Sequence, residues 1–332
     1  MSPRASVLLP VFEAAGTLEA CLHSVARQTA ADLECVVVDD GSTDGSLELA
    51  RAFALRDPRF RVLDGPHRGL VPALLRGLEA CRAPVVVRMD ADDWMHRERI
   101  ALQLRALEDA DAVGCHVRIF PRRELREGRR AYERWLNGID VPSRVLAEAF
   151  VECPIAHPTL AIRRDLLAAV GYRDCGWPED WDLVLRLLAR GATLAVVPRR
   201  LLAWRDLPTR LSRTAEPYRL DRLVRCRAHH LAHQHLADRD DYVLWGLGDT
   251  GKALRQALLP LGKRPRAIVE VHPRRIGQRI EGVPVVAPPQ LADVRGTAPV
   301  FVSVAGAEAR AELRARLSDQ GLVETRDFIC CA

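Results

Sequence analysis

Residues 85–93 read VVVRMDADD, an apolar run that ends in three carboxylates within four positions. A short continuous apolar run is typical of a strand in a parallel sheet that is covered on both faces. Asp90, Asp92 and Asp93 would repel one another unless a positive charge lay between them. Divalent cations such as Mg²⁺ and Mn²⁺ prefer oxygen ligands of this kind. The stretch therefore predicts a buried strand that ends either at a metal site or in a solvated polar loop.

Strand and helix signals alternate around this stretch, which predicts an α/β sheet. The expected strands are residues 6–10, 33–38, 60–63, 85–89 and 194–197, and the expected helices are residues 17–28, 46–55, 70–80, 98–107, 181–189 and 219–237. The strand at 33–38 also ends in acids, Asp39 and Asp40. Because ligands bind beyond the carboxyl ends of parallel strands, these acids and Asp90 are expected to line one crevice. Residues 118–147 are polar and less regular.

Two other motifs carry acids that either bind a ligand or only shape the chain. Residues 39–46 read DDGSTDGS, and a carboxylate there suits a nucleobase N–H or a ribose hydroxyl, whereas the hydroxyls equally suit a helix cap. Glu179 and Asp180 open a helix. Acids are common at that position because of the helix dipole, and the alternative is a general base that deprotonates an acceptor hydroxyl.

Length and composition predict two globular cores. The chain has 332 residues, of which 28% are charged, and this is an ordinary balance for a folded protein. We expect one domain over residues 1–215, a connecting helix over 216–240 and a smaller domain over 241–332. The nine cysteines include no C-x-x-C pair, which favours reduced thiols and a cytoplasmic location.

Charge and hydropathy argue against nucleic acid as a partner and against a transmembrane segment. The net charge of +5 comes from basic residues interspersed with acids, so nucleic acid is not an expected partner. No apolar run approaches the roughly 20 residues of a membrane span. The arginine-rich residues 121–134 form either a solvated face or a surface for an anionic acceptor or a membrane, so peripheral membrane contact stays open.

The C-terminal segment carries a glycine-rich loop between a strand and a helix. Residues 242–245 predict a strand, Gly246, Gly248 and Gly251 follow it, and Glu270 stands 19 residues after the last glycine. This spacing is typical of a dinucleotide-binding turn. With about 90 residues available, we expect one mononucleotide half of a Rossmann-like fold. The loop is either a second nucleotide site or part of a purely structural module.

Five motifs in this order resemble family 2 glycosyltransferases of the GT-A fold. They are VLLPVF at 7–12, VDDGSTD at 38–44, DADD at 90–93, HPT at 157–159 and ED at 179–180. The resemblance covers roughly residues 5–215 and implies a GT-A type nucleotide-sugar-binding sheet, followed by the smaller Rossmann-like α/β domain. The latter resembles the nucleotide-binding domain of bacterial sugar O-acyltransferases.

The resemblance also implies a role for each matched residue. Pro10 and Asp40 would flank the nucleobase, with Asp39 in support. Asp92 would be the main ligand of Mn²⁺ or Mg²⁺, and Asp90 would face the ribose or the metal. Asp180, beside Glu179, would be the base, and His157 would line the acceptor side. A further group resembles a segment that approaches the diphosphate: Arg205, Ser212 and Arg213.

The implied function is an inverting, metal-dependent glycosyltransferase, with a role in cell-envelope or polysaccharide biosynthesis. Its donor would be a nucleotide sugar, in the first place a UDP-sugar. The acceptor, a glycan, lipid or small molecule, would bind near the variable residues 118–154. The sequence departs from the family at Glu13 and Leu75, where asparagine is usual. Two rival functions are a non-catalytic sugar-nucleotide-binding regulator and an NAD-dependent oxidoreductase.

Overall fold

The computed structural model describes residues 2–332, and their contacts divide into two compact units. The first unit comprises residues 1–145, 154–174 and 186–210, and the second comprises residues 146–153, 175–185 and 211–332. Each unit is therefore discontinuous along the chain. The domain boundaries expected at residues 215 and 240 stay a prediction.

The first unit contains a mixed sheet of eight strands in the order β3-β2-β1-β4-β7-β6-β8-β5. The strands are β1 (Ala5–Val11), β2 (Leu33–Asp39), β3 (Phe60–Asp64), β4 (Val85–Arg88), β5 (Trp94–Met95), β6 (Ala112–Phe120), β7 (Ala161–Arg163) and β8 (Leu194–Arg205). The four strands β3, β2, β1 and β4 are parallel. Their carboxyl ends therefore meet at one edge of the sheet, as the apolar runs predicted.

The helices of the first unit connect these strands. They are α1 (Ala15–Ala26), α2 (Ser46–Arg56), α3 (Leu70–Ala80), α4 (Arg99–Ala106), α5 (Glu127–Leu136), α6 (Pro142–Glu148), α7 (Arg164–Val170) and α8 (Glu179–Ala189); α6 and α8 each begin in one unit and end in the other. Residues 118–147, which gave no regular pattern, are thus partly ordered as α5 and α6. Strand β8 is also longer than predicted, because it continues past Val197 to pair with β6 as far as Arg205.

Helix α3 shows how closely the helices approach the sheet. It packs on β1 and β2 through Gly77, which is buried. A Cβ added at this glycine would overlap Leu8 Cδ1 and would lie 2.7 Å from Val38 Cγ2. Val7, Leu9 and Val37 alternate with Leu8 and Val38 along the strands, so they point to the opposite face of the sheet, where they form an apolar cluster.

The second unit contains a six-stranded sheet in the order β11-β12-β10-β9-β13-β14, in which β11 alone is antiparallel to its neighbour. The strands are β9 (Asp241–Trp245), β10 (Arg264–Val269), β11 (Arg279–Ile280), β12 (Val283–Val286), β13 (Val300–Val302) and β14 (Phe328–Cys330). The helices are α9 (Leu211–Thr214), α10 (Leu220–Gln234), α11 (Asp249–Leu258), α12 (Leu291–Arg295) and α13 (Ala307–Asp319).

The parallel strands of this sheet run 3-2-1-4-5 in chain order, which is a doubly wound arrangement. The expectation of a single mononucleotide half was wrong, because such a half has three strands and this sheet has five parallel ones. The difference lies in β13 and β14, which have three residues each and are too short to stand out as periodic segments.

We predict that Gly77→Ala destabilises the protein by about 1–3 kcal/mol, because the added methyl group overfills a close-packed contact. The matched control is Gly16→Ala in α1, where nothing lies within 4 Å of the added Cβ. The control should gain about 0.5–1 kcal/mol from its higher helix propensity. Urea unfolding measures both changes. Equal effects of the two substitutions would contradict the close packing of α3 on β1.

Candidate active site

Three aspartates gather immediately beyond the carboxyl end of β4. Asp90, Asp92 and Asp93 each offer an oxygen, and these oxygens all lie within 4.8 Å of one another. Among residues 2–332 this is the one such group of metal-ligand side chains. Asp93 is fully buried, whereas Asp90 and Asp92 are half-buried. The turn therefore concentrates negative charge where the parallel strands end.

Arginines compensate part of this charge. Arg88 Nη2 lies 2.7 Å from Asp90 Oδ1, and Arg210 Nη2 lies 3.9 Å from Asp90 Oδ2. At the end of β8, the backbone N–H of Arg205 donates to Asp93 Oδ1 at 2.7 Å, and its Nε donates to the carbonyl of Asp92 at 2.9 Å. The strand end and the last residues of β8 thus hold the acid turn in one conformation.

Burial and neighbouring charges separate the pKa values of the three acids. Burial alone would raise the pKa of Asp90, but the charges of Arg88 and Arg210 hold it below its ordinary value. Burial, followed by repulsion from Asp90, raises the pKa of Asp92. Burial, followed by repulsion from Asp92, raises the pKa of Asp93 well above its ordinary value. Asp90 therefore keeps its charge more readily than Asp92 and Asp93, which are easier to protonate than exposed aspartates.

The donor set of this cluster fits a hard divalent cation. Its ligands are carboxylate oxygens, which Mg²⁺ and Mn²⁺ prefer. Asp93 Oδ2 is buried without a hydrogen-bond partner in the described structure, and a buried polar atom of this kind calls for an explanation such as a bound ion. An added positive charge would also relieve the repulsion that raises the pKa values of Asp92 and Asp93.

Asp39 and Asp40 lie at the end of β2, on the same edge of the sheet. Asp40 Oδ1 accepts from the backbone N–H of Arg68 and its Oδ2 accepts from that of Gly69, both at 2.8 Å. Asp39 Oδ2 accepts from the N–H groups of Gly41 and Ser42, whereas its Oδ1 is buried without a described partner. Asp40 is therefore occupied with shaping a loop, and Asp39 is the acid that keeps an unfilled acceptor.

The segment after β1 lies beside these acids. Pro10 and Val11 pair with Val38 and Asp39 across the parallel ladder, which places Pro10 next to the end of β2. Phe12 stacks on the ring of His67, with centroids 4.1 Å apart.

Glu13, one of the two departures from the family pattern, has a positive φ of 50°. That backbone conformation is strained for glutamate, whereas asparagine adopts it several-fold more readily. Glu13 compensates by hydrogen bonding: its Oε1 accepts from the backbone N–H of Thr43 at 2.7 Å, and its own N–H donates to Ser42 Oγ at 3.1 Å. The residue thus joins the loop after β1 to the loop after β2.

His157 is a buried residue of the first unit, in a 3₁₀ turn before β7. Its Nε2 lies 3.0 Å from the hydroxyl of Tyr172. The residue also helps to lower the pKa of Asp90. The structure therefore brings His157 near the acid turn, and its proposed place on the acceptor side stays a prediction.

Glu179 and Asp180 belong to the part of the chain that forms the second unit. Glu179 Oε2 accepts from the hydroxyl of Tyr218 at 2.6 Å, and Asp180 Oδ1 accepts from the N–H of Trp181 at 2.7 Å. Ser212 and Arg213 are exposed residues of α9 in the same unit, whereas Arg205 belongs to the first.

The glycine-rich loop of the second unit begins where β9 ends. Gly246 has a φ of 94°, and a Cβ added at Gly251 would overlap the carbonyl oxygen of Gly246. Gly248 has open space around its Cα. Glu270 Oε1 accepts from the N–H of Val271, and its Oε2 lies 3.0 Å from Arg275 Nη1. Gly246, Gly251 and Glu270 therefore have structural roles, whereas no neighbouring atom requires a glycine at position 248. Nucleotide binding by this loop stays a prediction.

A comparison with known families decides the class of this site. The model described as "Glycosyl transferase family 2" matches residues 6–171, which is half of the chain. The chain belongs to this family. The matched segment contains β1, the acids after β2, the acid turn after β4 and the His157 turn.

Similar proteins include glycosyltransferases that match over different lengths. The putative glycosyltransferase EpsH of Bacillus subtilis is 33% identical over 116 residues, which are 35% of this chain and 34% of that relative. The match thus spans about a third of EpsH. A PGL/p-HBAD biosynthesis glycosyltransferase of Mycobacterium tuberculosis is 29% identical over 198 residues, which are 58% of this chain and 72% of that relative.

Two solved glycosyltransferase structures share the GT-A fold of this chain. Residues 1–349 of S. aureus TarS, in a complex with UDP-GlcNAc, have a TM-score of 0.56 and 17% identity, over 78% of this chain and 72% of that one. The mannosyltransferase PcManGT of Pyrobaculum calidifontis, with GDP-Man and Mn²⁺, has a TM-score of 0.52 and 24% identity, over 71% of this chain and 64% of that one. The expectation of a GT-A type sheet with a smaller C-terminal α/β sheet is confirmed.

Two arginines of this family 2 site were missed as site residues from the sequence. Arg88 had a detectable signal, because a charged residue inside an apolar strand is rarely buried without a partner. Arg210 had none, because its ion pair with Asp90 joins residues 120 positions apart.

We predict that Gly41→Ala loosens the loop that follows β2. Gly41 has a φ of 79°, and a Cβ there would lie 2.6 Å from the backbone nitrogen of His67. Backbone strain and the clash together should cost about 2–4 kcal/mol of stability and weaken nucleotide binding. Gly45→Ala is the control, because its φ is 93° but nothing lies within 4 Å of the added Cβ. It should cost only the backbone strain, about 1–2 kcal/mol. Urea unfolding and nucleotide titration measure both variants, and equal losses would contradict the predicted clash.

Proposed function

We propose that this chain transfers a sugar from a nucleotide-diphosphate donor to an acceptor hydroxyl, with inversion at the anomeric carbon. The observation that carries the proposal is the cluster of Asp90, Asp92 and Asp93, whose ligand oxygens lie within 4.8 Å of one another. It occupies the edge of the sheet where ligands of α/β folds bind. Membership of glycosyltransferase family 2 supports the reaction class.

The donor's nucleoside would bind between the ends of β1 and β2. The buried, unpartnered Oδ1 of Asp39 supports an acceptor for a nucleobase N–H, with Pro10 beside it and Asp40 holding the loop at residues 67–69. A UDP-sugar is the leading donor. TarS, in a complex with UDP-GlcNAc, supports this choice of a uridine nucleotide.

The diphosphate would lie against the acid turn, with Asp92 as the main metal ligand and Asp90 towards the ribose or the metal. Mn²⁺ or Mg²⁺ would supply Lewis-acid stabilisation of the leaving diphosphate, and a Mn²⁺ complex of PcManGT supports manganese. Arg205 would add positive charge beside the diphosphate, because its Nε donates to the carbonyl of Asp92. The family resemblance assigns Ser212 and Arg213 to diphosphate binding as well.

Asp180 would be the base. It would take the proton of the acceptor hydroxyl while that oxygen attacks the anomeric carbon opposite the leaving group, and such an attack inverts the centre. The family resemblance assigns the base to Asp180 rather than to Glu179, whose Oε2 accepts from the hydroxyl of Tyr218. His157 would line the acceptor side.

Three finer expectations stay predictions. They are the second nucleotide site at Gly246, Gly248, Gly251 and Glu270, the likeness of that unit to the acyltransferase nucleotide-binding domain, and an acceptor pocket at residues 118–154. Within residues 2–332, the helices include none that is both long and apolar enough to cross a bilayer. Peripheral contact with an anionic membrane would involve the arginines of α5.

Two rival functions make different products. A sugar-nucleotide regulator would bind donor without releasing nucleoside diphosphate, and an oxidoreductase would reduce a nicotinamide. Release of nucleoside diphosphate from a panel of nucleotide sugars with Mn²⁺, together with nicotinamide absorbance, separates all three functions.

We predict that Asp92→Ala lowers the release of nucleoside diphosphate by about 100-fold or more, which is the scale of losing one preorganised electrostatic group. It should also abolish the increase in melting temperature that donor and Mn²⁺ produce together. Asp109→Ala is the control, because Asp109 is an exposed acid of the same unit. An Asp92→Ala variant that keeps both turnover and the Mn²⁺ response would refute the metal assignment.

We predict that Asp180→Asn lowers turnover by about 10²–10⁴-fold, which is typical of losing a general base, while the dissociation constant of the donor stays unchanged. Asp165→Asn serves as the control, because the side chain of Asp165 is 95% exposed. Single-turnover product release and donor titration calorimetry give the two quantities. Normal turnover in Asp180→Asn would mean that another group is the base.

A further inference from the structure

The helix start that carries Asp180 is held within the second unit. Residues 175–185 cluster with residues 146–153 and with everything after residue 210. The side chains on either side of Asp180 have their partners there: Glu179 accepts from Tyr218, and Trp181 Nε1 donates to the carbonyl of Ala149 at 2.7 Å. The helix that follows residue 219 is therefore a candidate support for this segment.

Asp182 makes the closest polar link to that helix, α10. Its side chain is completely buried, and its Oδ1 lies 3.1 Å from His230 Nε2 and 3.3 Å from Trp177 Nε1. An ionised carboxylate in such a place is costly unless hydrogen bonds satisfy it. Indole is only a donor, so Trp177 donates to this oxygen, and because an ionised carboxylate only accepts, His230 Nε2 donates to it as well. His230 is itself 3% exposed, so this link is shielded from water.

Gln234 fixes the tautomer of His230. Its Nε2 lies 3.0 Å from His230 Nδ1 and 3.2 Å from the carbonyl oxygen of Leu185. An amide nitrogen only donates, and the second contact requires the NH₂ group at this position. His230 Nδ1 therefore accepts, and the ring proton sits on Nε2, where it is donated to Asp182. Gln234 also ties α10 to α8 about one turn beyond Asp182.

A second set of contacts keeps α10 itself in place. Arg227 Nε donates to the carbonyl of Phe150 at 2.8 Å, and its guanidinium carbon lies 5.2 Å from the ring centroid of Trp181. Arg227 and His230 are three positions apart, so they lie on the same face of the helix. That face of α10 therefore contacts both Trp181 and Asp182, in the first turns of α8.

We infer that the buried chain Asp182–His230–Gln234 positions the first turn of α8 and, through it, the carboxylate of Asp180. His230 is thus a positioning residue supplied by a helix that the sequence suggested was only a connector. The inference rests on the proposed role of Asp180 as base. A displacement of about 1 Å in a reacting group can cost roughly 100-fold in rate, so a loosened helix start should be visible in turnover.

The test compares His230→Leu with His230→Gln, whose amide nitrogen can take the place of Nε2. His230→Leu should lower kcat by about 10- to 100-fold with the donor dissociation constant unchanged, and His230→Gln should restore most of the loss. The control is His233→Leu on the same helix, where the side chain is exposed and turnover should not change. Equal turnover of His230→Leu and wild type would overturn the inference.

A double variant separates positioning from a general loss of structure. In an Asp180→Asn background, His230→Leu should lower the residual rate no further, because the group that it positions is already gone. A full additional loss in that background would also overturn the inference. If Asp180→Asn itself keeps normal turnover, the base assignment fails, whereas a slow Asp180→Asn beside a normal His230→Leu defeats only the positioning role.

A second substitution covers the case in which His230→Leu does not fold. Gln234→Met keeps the length of the side chain but removes the amide that donates to His230 Nδ1. It should lower kcat in the same direction, without a change in donor binding and without effect in the Asp180→Asn background. Unchanged turnover in a folded Gln234→Met variant would count against the network.

Discussion

The concentration of negative charge beyond β4 is the constraint on which the first unit depends. Three carboxylates share one turn, and the protein meets their repulsion with guanidinium groups from strand, loop and helix. Arg99, fully buried, donates from Nη2 to the carbonyl of Arg88 at 2.8 Å and from Nε to Gln103 at 3.0 Å. Gln103 in turn donates to the carbonyls of Val113 and Thr159. The polar network below the acid turn thereby joins β4, β6 and the His157 turn.

This network explains why buried charge is tolerated in a core that is otherwise apolar. Removing a buried guanidinium would leave its carboxylate or carbonyl partners without donors, which costs more than the pair itself contributes. The contributions of the acids and the arginines to stability are therefore coupled and cannot be assigned to single residues. The pKa values of the three aspartates diverge because burial and mutual repulsion raise those of Asp92 and Asp93, whereas Arg88 and Arg210 lower that of Asp90.

The parallel half of the first sheet could be predicted from the sequence, since β1, β2 and β4 are continuous apolar runs that end in proline or acids. Helix α5 could not, because its arginines hide its buried face. Arg129 lies 4.7 Å from the ring centroid of Trp204 and 4.8 Å from that of Tyr132, so its apolar stem and planar head pack like a hydrophobic side chain. A hydropathy pattern counts such a residue as solvated.

The sequence could predict those residues of the candidate site that directly follow a strand. The aspartates after β2 and β4 were found in this way. The hydrogen bonds of Asp40 were not, because they depend on the backbone of residues 67–69, which no local pattern connects to β2. The partners of Glu179 and Asp182 lie 39 and 48 positions away, beyond the reach of any short motif.

The discontinuity of the second unit bears on how such chains can recombine. A segment that looks like a detachable C-terminal module completes its fold with residues 146–153 and 175–185 of the preceding half. Exchanging everything after residue 210 between homologues would therefore separate Tyr218 and His230 from their partners Glu179 and Asp182. A chimera that keeps these contacts has to exchange residues 146–153 and 175–185 together with everything after residue 210. The exchangeable part is therefore discontinuous along the chain.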